Sequence, residues 1–123
     1  MTTNLKEKFK VWRKEDEIII GKFWGEQGEE DARKFVEEIT KLMETMEGKR
    51  CILIDASEGS KSGARARKIY VEFAKSIKET DKVTIFGLGT LIKVIATFIV
   101  RAAGKENVKF FPTEEEALKW LKE

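Results

Sequence analysis

The chain has 123 residues, enough for one domain with a real core and too few for two. Hydrophobic residues make up 41% and charged residues 37%, and 24 lysines and arginines against 22 acids leave a net charge of only +2, which is no electrostatic footprint of a dedicated nucleic-acid binder. Histidine is absent and Cys51 is the single cysteine, so the commonest general base, the commonest metal ligand and any intrachain disulfide are excluded, and neither metal nor cofactor is expected.

In chain order, Phe9 to Arg13 alternates apolar and charged residues, and Glu17 to Trp24 is rich in isoleucine and aromatics. Lys14-Glu15-Asp16 between them predicts a hairpin turn, and Gly25 and Gly28 break the second run. From Glu29 the period becomes helical: Ala32, Phe35, Val36, Ile39, Leu42, Met43 and Met46 share one face. Glu29, Glu30 and Asp31 suit the positive end of that helix, and Gly48 suits its C-terminal cap.

Lys49 to Ala56 predicts a strand with the buried core Cys51-Ile52-Leu53-Ile54. A second helix follows Ser62 and buries Ala66, Ile69, Tyr70, Phe73 and Ile77. Val83 to Phe86 is a short strand, and Gly87-Leu88-Gly89 turns into a third helix, Thr90 to Ala103, ending at Gly104. Asn107 to Phe111 is the last strand. Thr113 with Glu116 three residues on forms a capping box for a terminal helix whose inward face is Ala117, Leu118, Trp120 and Leu121. Trp120 and Leu121 are expected to be its buried anchors.

The order β-β-α-β-α-β-α-β-α argues for a single α/β domain over residues 1–123, with a mostly parallel sheet, an N-terminal hairpin and helices packed on it. Ligands of such sheets sit outside the carboxyl ends of the strands, where Asp55 to Ser62 and Gly87 to Thr90 are expected as loops. The N-terminus has no apolar segment of the kind that targets secretion, and residues 90–103 would span only about 21 Å of a ~30 Å bilayer core. A cytoplasmic protein is expected.

The stretch "LIDASEGSKSGARARK", residues 53–68, holds most of the candidate binding residues: Asp55, Ser57, Ser60, Lys61, Ser62, Gly63, Arg65 and Arg67. Gly59-Ser60-Lys61-Ser62 lacks the contiguous Gly-Lys-Ser/Thr and the earlier glycine of a nucleotide P-loop. Gly87-Leu88-Gly89 opens a helix after a strand, but Ile92 stands where a dinucleotide fingerprint needs Gly or Ala; Gly87 and Gly89 therefore read first as turn residues. The serines have no histidine to activate them, and Cys51 inside an apolar strand is inert, so no catalytic residue is assigned. Asp55 reads as a cap for the backbone that follows it. Lys61, Arg65, Arg67 and Lys68 work against the dipole at a helix start, and they admit two readings: an anion site or a solvated helix face. In the third helix Leu91, Ile92, Ile95, Phe98, Ile99 and Ala102 form an ordinary apolar face, which Val94 and Val100 widen beyond what one-sided packing needs. Core packing is the first account of that width; Leu91, Val94, Ile95 and Phe98 are otherwise the residues to meet an apolar ligand or a membrane.

The segments "EIIIGKFWG", "RCILIDAS", "VTIFGLGTLIKVIATFIV" and above all "VKFFPTEEEALKWL" resemble the STAS domains, most closely the SpoIIAA-like branch of the anti-sigma-factor antagonists, over nearly the whole chain. The resemblance implies that fold and a non-enzymatic regulatory module binding a protein partner or a small apolar or anionic ligand. In those antagonists the third strand leads into a helix through Asp-Ser-Ser-Gly, whose first serine is phosphorylated. Laid on this chain without gaps, Gly63 and Ser62 match the last two positions, Lys61 takes the phosphoacceptor position and Ser60 the aspartate's. Ser60 and Ser62 are the hydroxyls left for such a switch. The branch is also similar to SEC14-type (CRAL-TRIO) lipid-carrier domains, which implies, as the alternative, an apolar ligand and peripheral membrane contact. The oligomeric state is left open, a dimer included.

Overall fold

The computed structural model describes residues 7–14 and 17–123, with the side chains at positions 90–92, 95, 98 and 99 outside that description. Five strands form one sheet in the order β1 (Phe9–Arg13), β2 (Ile18–Gln27), β3 (Cys51–Ser62), β4 (Lys82–Phe86) and β5 (Val108–Phe111). β1 and β2 make an antiparallel hairpin in which Trp12 faces Ile20, and the other neighbours are parallel. Part of the expected Lys14-Glu15-Asp16 turn lies outside the described residues.

Each parallel strand is added on the same side of the last, so right-handed crossovers place α1 (Glu29–Met43), α2 (Ala64–Ser76) and α3 (Thr90–Ala102) on one face. There Phe35, Ile39 and Met43 of α1, Phe73 of α2 and Val100 of α3 join Ile19, Ile52, Ile54, Val83 and Val108 in the larger core. Gly21 permits the closest approach of α1, since a Cβ at that position would lie 2.8 Å from the Phe35 ring. The chain then crosses to the other face, where Ala117 and Leu121 of α4 (Glu114–Leu121) pack on Ile18, Ile20, Leu53 and Phe86. The α4 cap forms as expected, with the Thr113 hydroxyl accepting from the Glu116 N–H at 3.3 Å.

Three expectations need correction. The stretch from Asp55 to Ser62 is not a loop: β3 runs through it, because the second half of β2 supplies a partner strand as far as Gln27. Pairing jumps from Lys22–Asp55 to Trp24–Glu58 and from Gly25–Gly59 to Gln27–Ser62, so β3 carries one extra residue at each of two bulges. Those bulges, filled by small and hydroxylated residues, are what read as a loop. α1 ends at Met43, where the Thr45 hydroxyl donates to the Leu42 carbonyl at 2.6 Å and a turn replaces the helical path to Gly48. Trp120 is only half-buried; its ring leaves the core beside Phe111 to meet Lys82 and Lys109, while Leu121, at 2% exposure, is the true anchor.

Candidate binding edge along the third strand

The residues singled out in the sequence separate into two groups along β3. The first gathers at the upper bulge. Asp55 Oδ1 accepts from the Ser57 N–H at 2.9 Å and from the Ser57 hydroxyl at 2.6 Å, a local turn held by one carboxylate. Its other oxygen lies 3.9 Å from Lys22 Nζ, and Lys22 also donates to Glu58 at 2.8 Å. The hydrogen bond it donates to Glu58 holds the Lys22 ammonium above its ordinary range, against the smaller pull of desolvation and with added support from the Glu58 and Asp55 charges. Gly87, after β4, presses on the same turn: φ is +88° and a Cβ there would lie 2.6 Å from the Ser57 Cα. The β3 bulge and the end of β4 are thus locked together, and Asp55 is engaged in capping and pairing. Lys22 and Glu58 belong to this group although the sequence did not point to them; a lysine between isoleucines and aromatics in β2 was the one available sign.

The second group stands where β3 enters α2. Five residues of strand at ~3.3 Å each separate Ser62 from Ser57 by about 16 Å, so the serines do not share one site. Gly63 is the N-cap and donates its N–H to the Gln27 carbonyl at 3.3 Å, without any side-chain cap on the helix. The Arg67 guanidinium turns back to the Ser62 carbonyl, and Arg65 reaches Glu29 of α1 at 3.4 Å. Ser60, Lys61 and Lys68 are exposed, and the Arg65 side chain is 83% exposed. Below this corner a groove of about 580 Å³ runs between α1 and α2, with Val36, Ile69 and Phe73 as its floor and Glu29, Arg65, Lys68 and Glu72 along its rim.

Gly89 is exposed at the start of α3, where its carbonyl accepts from the Lys93 N–H at 2.9 Å. Val94 is 61% exposed; the side chains of Leu91, Ile95 and Phe98 lie outside the described residues. Among the described residues no helix is long and apolar enough to cross a membrane.

A mixed five-stranded sheet with three helices on one face and a single short helix on the other defines the class as α/β. The chain belongs to the SpoIIAA-like family, whose family model matches residues 18–122. Among solved structures it is similar to an uncharacterized protein from Shewanella loihica with a SpoIIAA-like fold, at 22% identity and a TM-score of 0.68 over 98% of both chains. The unphosphorylated anti-sigma factor antagonist SpoIIAA superposes at a TM-score of 0.69 with 12% identity, covering 93% of this chain and 97% of that one. An anti-sigma factor antagonist from Mycobacterium paratuberculosis gives 0.68 and 15%, with 98% and 100% covered. No curated protein matches the sequence.

Proposed function

We propose that this chain is a non-enzymatic regulatory module that takes a protein partner at the corner where β3 enters α2. The groove between α1 and α2 carries the reading, because an apolar floor with a charged rim is the anatomy of a protein interface. Similarity to anti-sigma factor antagonists, proteins that act against another protein, supports it. The state of Asp55 and Ser57, bonded to each other at 2.6 Å, supports a structural role for this serine–carboxylate pair. With Lys61 in the phosphoacceptor position, occupancy of the edge is governed by the partner's affinity, and Ser60 and Ser62 stay unmodified in protein from its own host.

Affinity capture from that host, followed by calorimetry with the identified partner made separately, tests the proposal. Binding should fall at least tenfold on joint reversal of Arg65→Glu and Lys68→Glu, while Lys119→Glu on the opposite face leaves it unchanged. The exposure of Val94 favours a second reading, a lipid carrier or peripheral membrane protein. Flotation with anionic vesicles at low salt, abolished by Val94→Glu, or a lipid found by native mass spectrometry would replace the partner reading by that one.

A further inference from the structure

At the amino end of the sheet, opposite the partner edge, a polar pocket of about 700 Å³ opens between the α2–β4 and α3–β5 turns, and Lys49, Lys82, Lys105 and Lys109 line it around Trp120. We propose that this pocket is a separate binding site for the phosphoryl group of a small phosphate ester. Lys82 and Lys109 stand on adjacent strands, on the same sheet face and diagonal to each other, since Thr84 is the partner of Lys109. Both ammonium groups converge on one ring, 4.6 and 5.5 Å from the Trp120 centroid. Like charges held this way repel unless an anion comes between them.

Among the described residues no side-chain carboxylate forms an ion pair with any of these four lysines, although exposed Glu79 and Glu106 also line the pocket. Those acids narrow the choice to a compact anion and disfavour long polyanions. The one buried acid of the wall, Asp81, is already taken by Arg50 at 2.7 and 2.8 Å. Lys82 donates to the Trp120 carbonyl at 2.8 Å and to the Glu123 main-chain oxygen at 3.5 Å, and Lys105 donates to the Ile77 carbonyl at 2.9 Å, which leaves one proton on Lys82 and two on Lys105. An ammonium has three donors, so these bonds fix each lysine and still leave protons for a ligand. The wall is equally fixed: Asn107 Nδ2 donates to the Lys78 and Asp81 carbonyls at 2.8 and 2.7 Å. A preorganised wall lowers the ordering cost of binding, and the volume falls within the range of small-molecule sites.

Amide NMR of the isotopically labelled chain, titrated with inorganic phosphate and with glycerol phosphate against chloride at matched ionic strength, reads the site directly. Saturable shifts are expected at Lys82, Asn107, Lys109 and the Trp120 indole with both phosphates. Tighter binding of glycerol phosphate assigns an ester, and equal affinity assigns the free ion and overturns the ester assignment. Lys109→Gln, at an exposed position, should raise the Kd at least fivefold, and Lys49→Gln should raise it to a lesser degree; Lys34→Gln on α1 should not change it. Shifts that fail to saturate, that centre on Arg65 and Arg67, or that survive Lys109→Gln in a folded protein would overturn the site.

Discussion

Asp81 shows how much of the molecule hangs on one side chain. It is fully buried, accepts two bonds from the Arg50 guanidinium and a third from the Lys78 N–H at 2.8 Å, and ties the start of β4 to the approach of β3. Burial by itself would push its carboxyl up, but the Arg50 fork, the Lys78 N–H and the positive charges of both residues outweigh that and hold it below its ordinary 3.8. A depressed carboxyl contributes stability that is fully present above the unfolded value and is lost as pH falls through the folded one. Asp81→Asn should therefore cost about 3 kcal/mol near neutral pH, by leaving the partly buried Arg50 charge unpaired. It should also flatten the loss of stability below about pH 4 in urea titrations. Tyr70 is the opposite case. Its hydroxyl is buried without a hydrogen-bond partner among the described residues, and burial, with the Asp31 charge, pushes its pKa strongly up. Tyr70→Phe deletes an unsatisfied group and keeps the ring stacked on Phe23, 6.3 Å between centroids, so the thermal midpoint should hold or rise.

Among the elements, α4 separates what a helical pattern reveals from what it hides. Its capping box and the inward places of Ala117 and Leu121 are legible in the sequence, because cap chemistry and the 3.6 period are local. The position of Trp120 is not, since its ring answers to lysines on β4 and β5 that are distant in the chain. Leu121→Ala should cost about 2–5 kcal/mol, whereas Trp120→Ala, at a half-buried ring, should cost about 2 kcal/mol instead of the ~3–5 of an enclosed one. Chemical denaturation of the two variants gives the order. β3 teaches the complementary lesson: its first residues declare a buried strand, but its bulged second half is a strand only because β2 lies beside it. The lock at that bulge is testable through Gly87→Ala, whose Cβ would press on Ser57 in a left-handed conformation and cost about 2–4 kcal/mol.

For the whole molecule, the alternation of strands and helices made the mostly parallel sheet legible, because each crossover is right-handed and short, and the segment VKFFPTEEEALKWL above all made the family legible. The site was legible only as residue types. Asp55 and Arg65 lie in one stretch of sequence, but the extended strand between their groups gives them different neighbours, Lys22 and Glu58 for one and Glu29 for the other. The same geometry places the Arg65 end of the groove and the lysine pocket at opposite ends of the sheet, separated by less than the ~36 Å of a fully extended β3 because that strand is bulged, while the Phe73 and Ser76 end of the groove comes nearer the pocket. Surface charges that far apart and without shared partners act independently, being screened beyond ~8–10 Å and energetically additive. The exposed pair of Arg65 and Glu29 contributes at most about 1 kcal/mol to stability. Joint Arg65→Ser and Arg67→Ser should therefore remove partner binding while shifting the urea midpoint little and leaving the Kd for glycerol phosphate unchanged. Lys109→Gln should do the reverse, and the combined variant should show the sum of the two effects in calorimetry of each ligand. A phosphate Kd that moves when Arg65 and Arg67 are replaced would mean that the two ends are coupled through the sheet, and the molecule would then have to be treated as a switch.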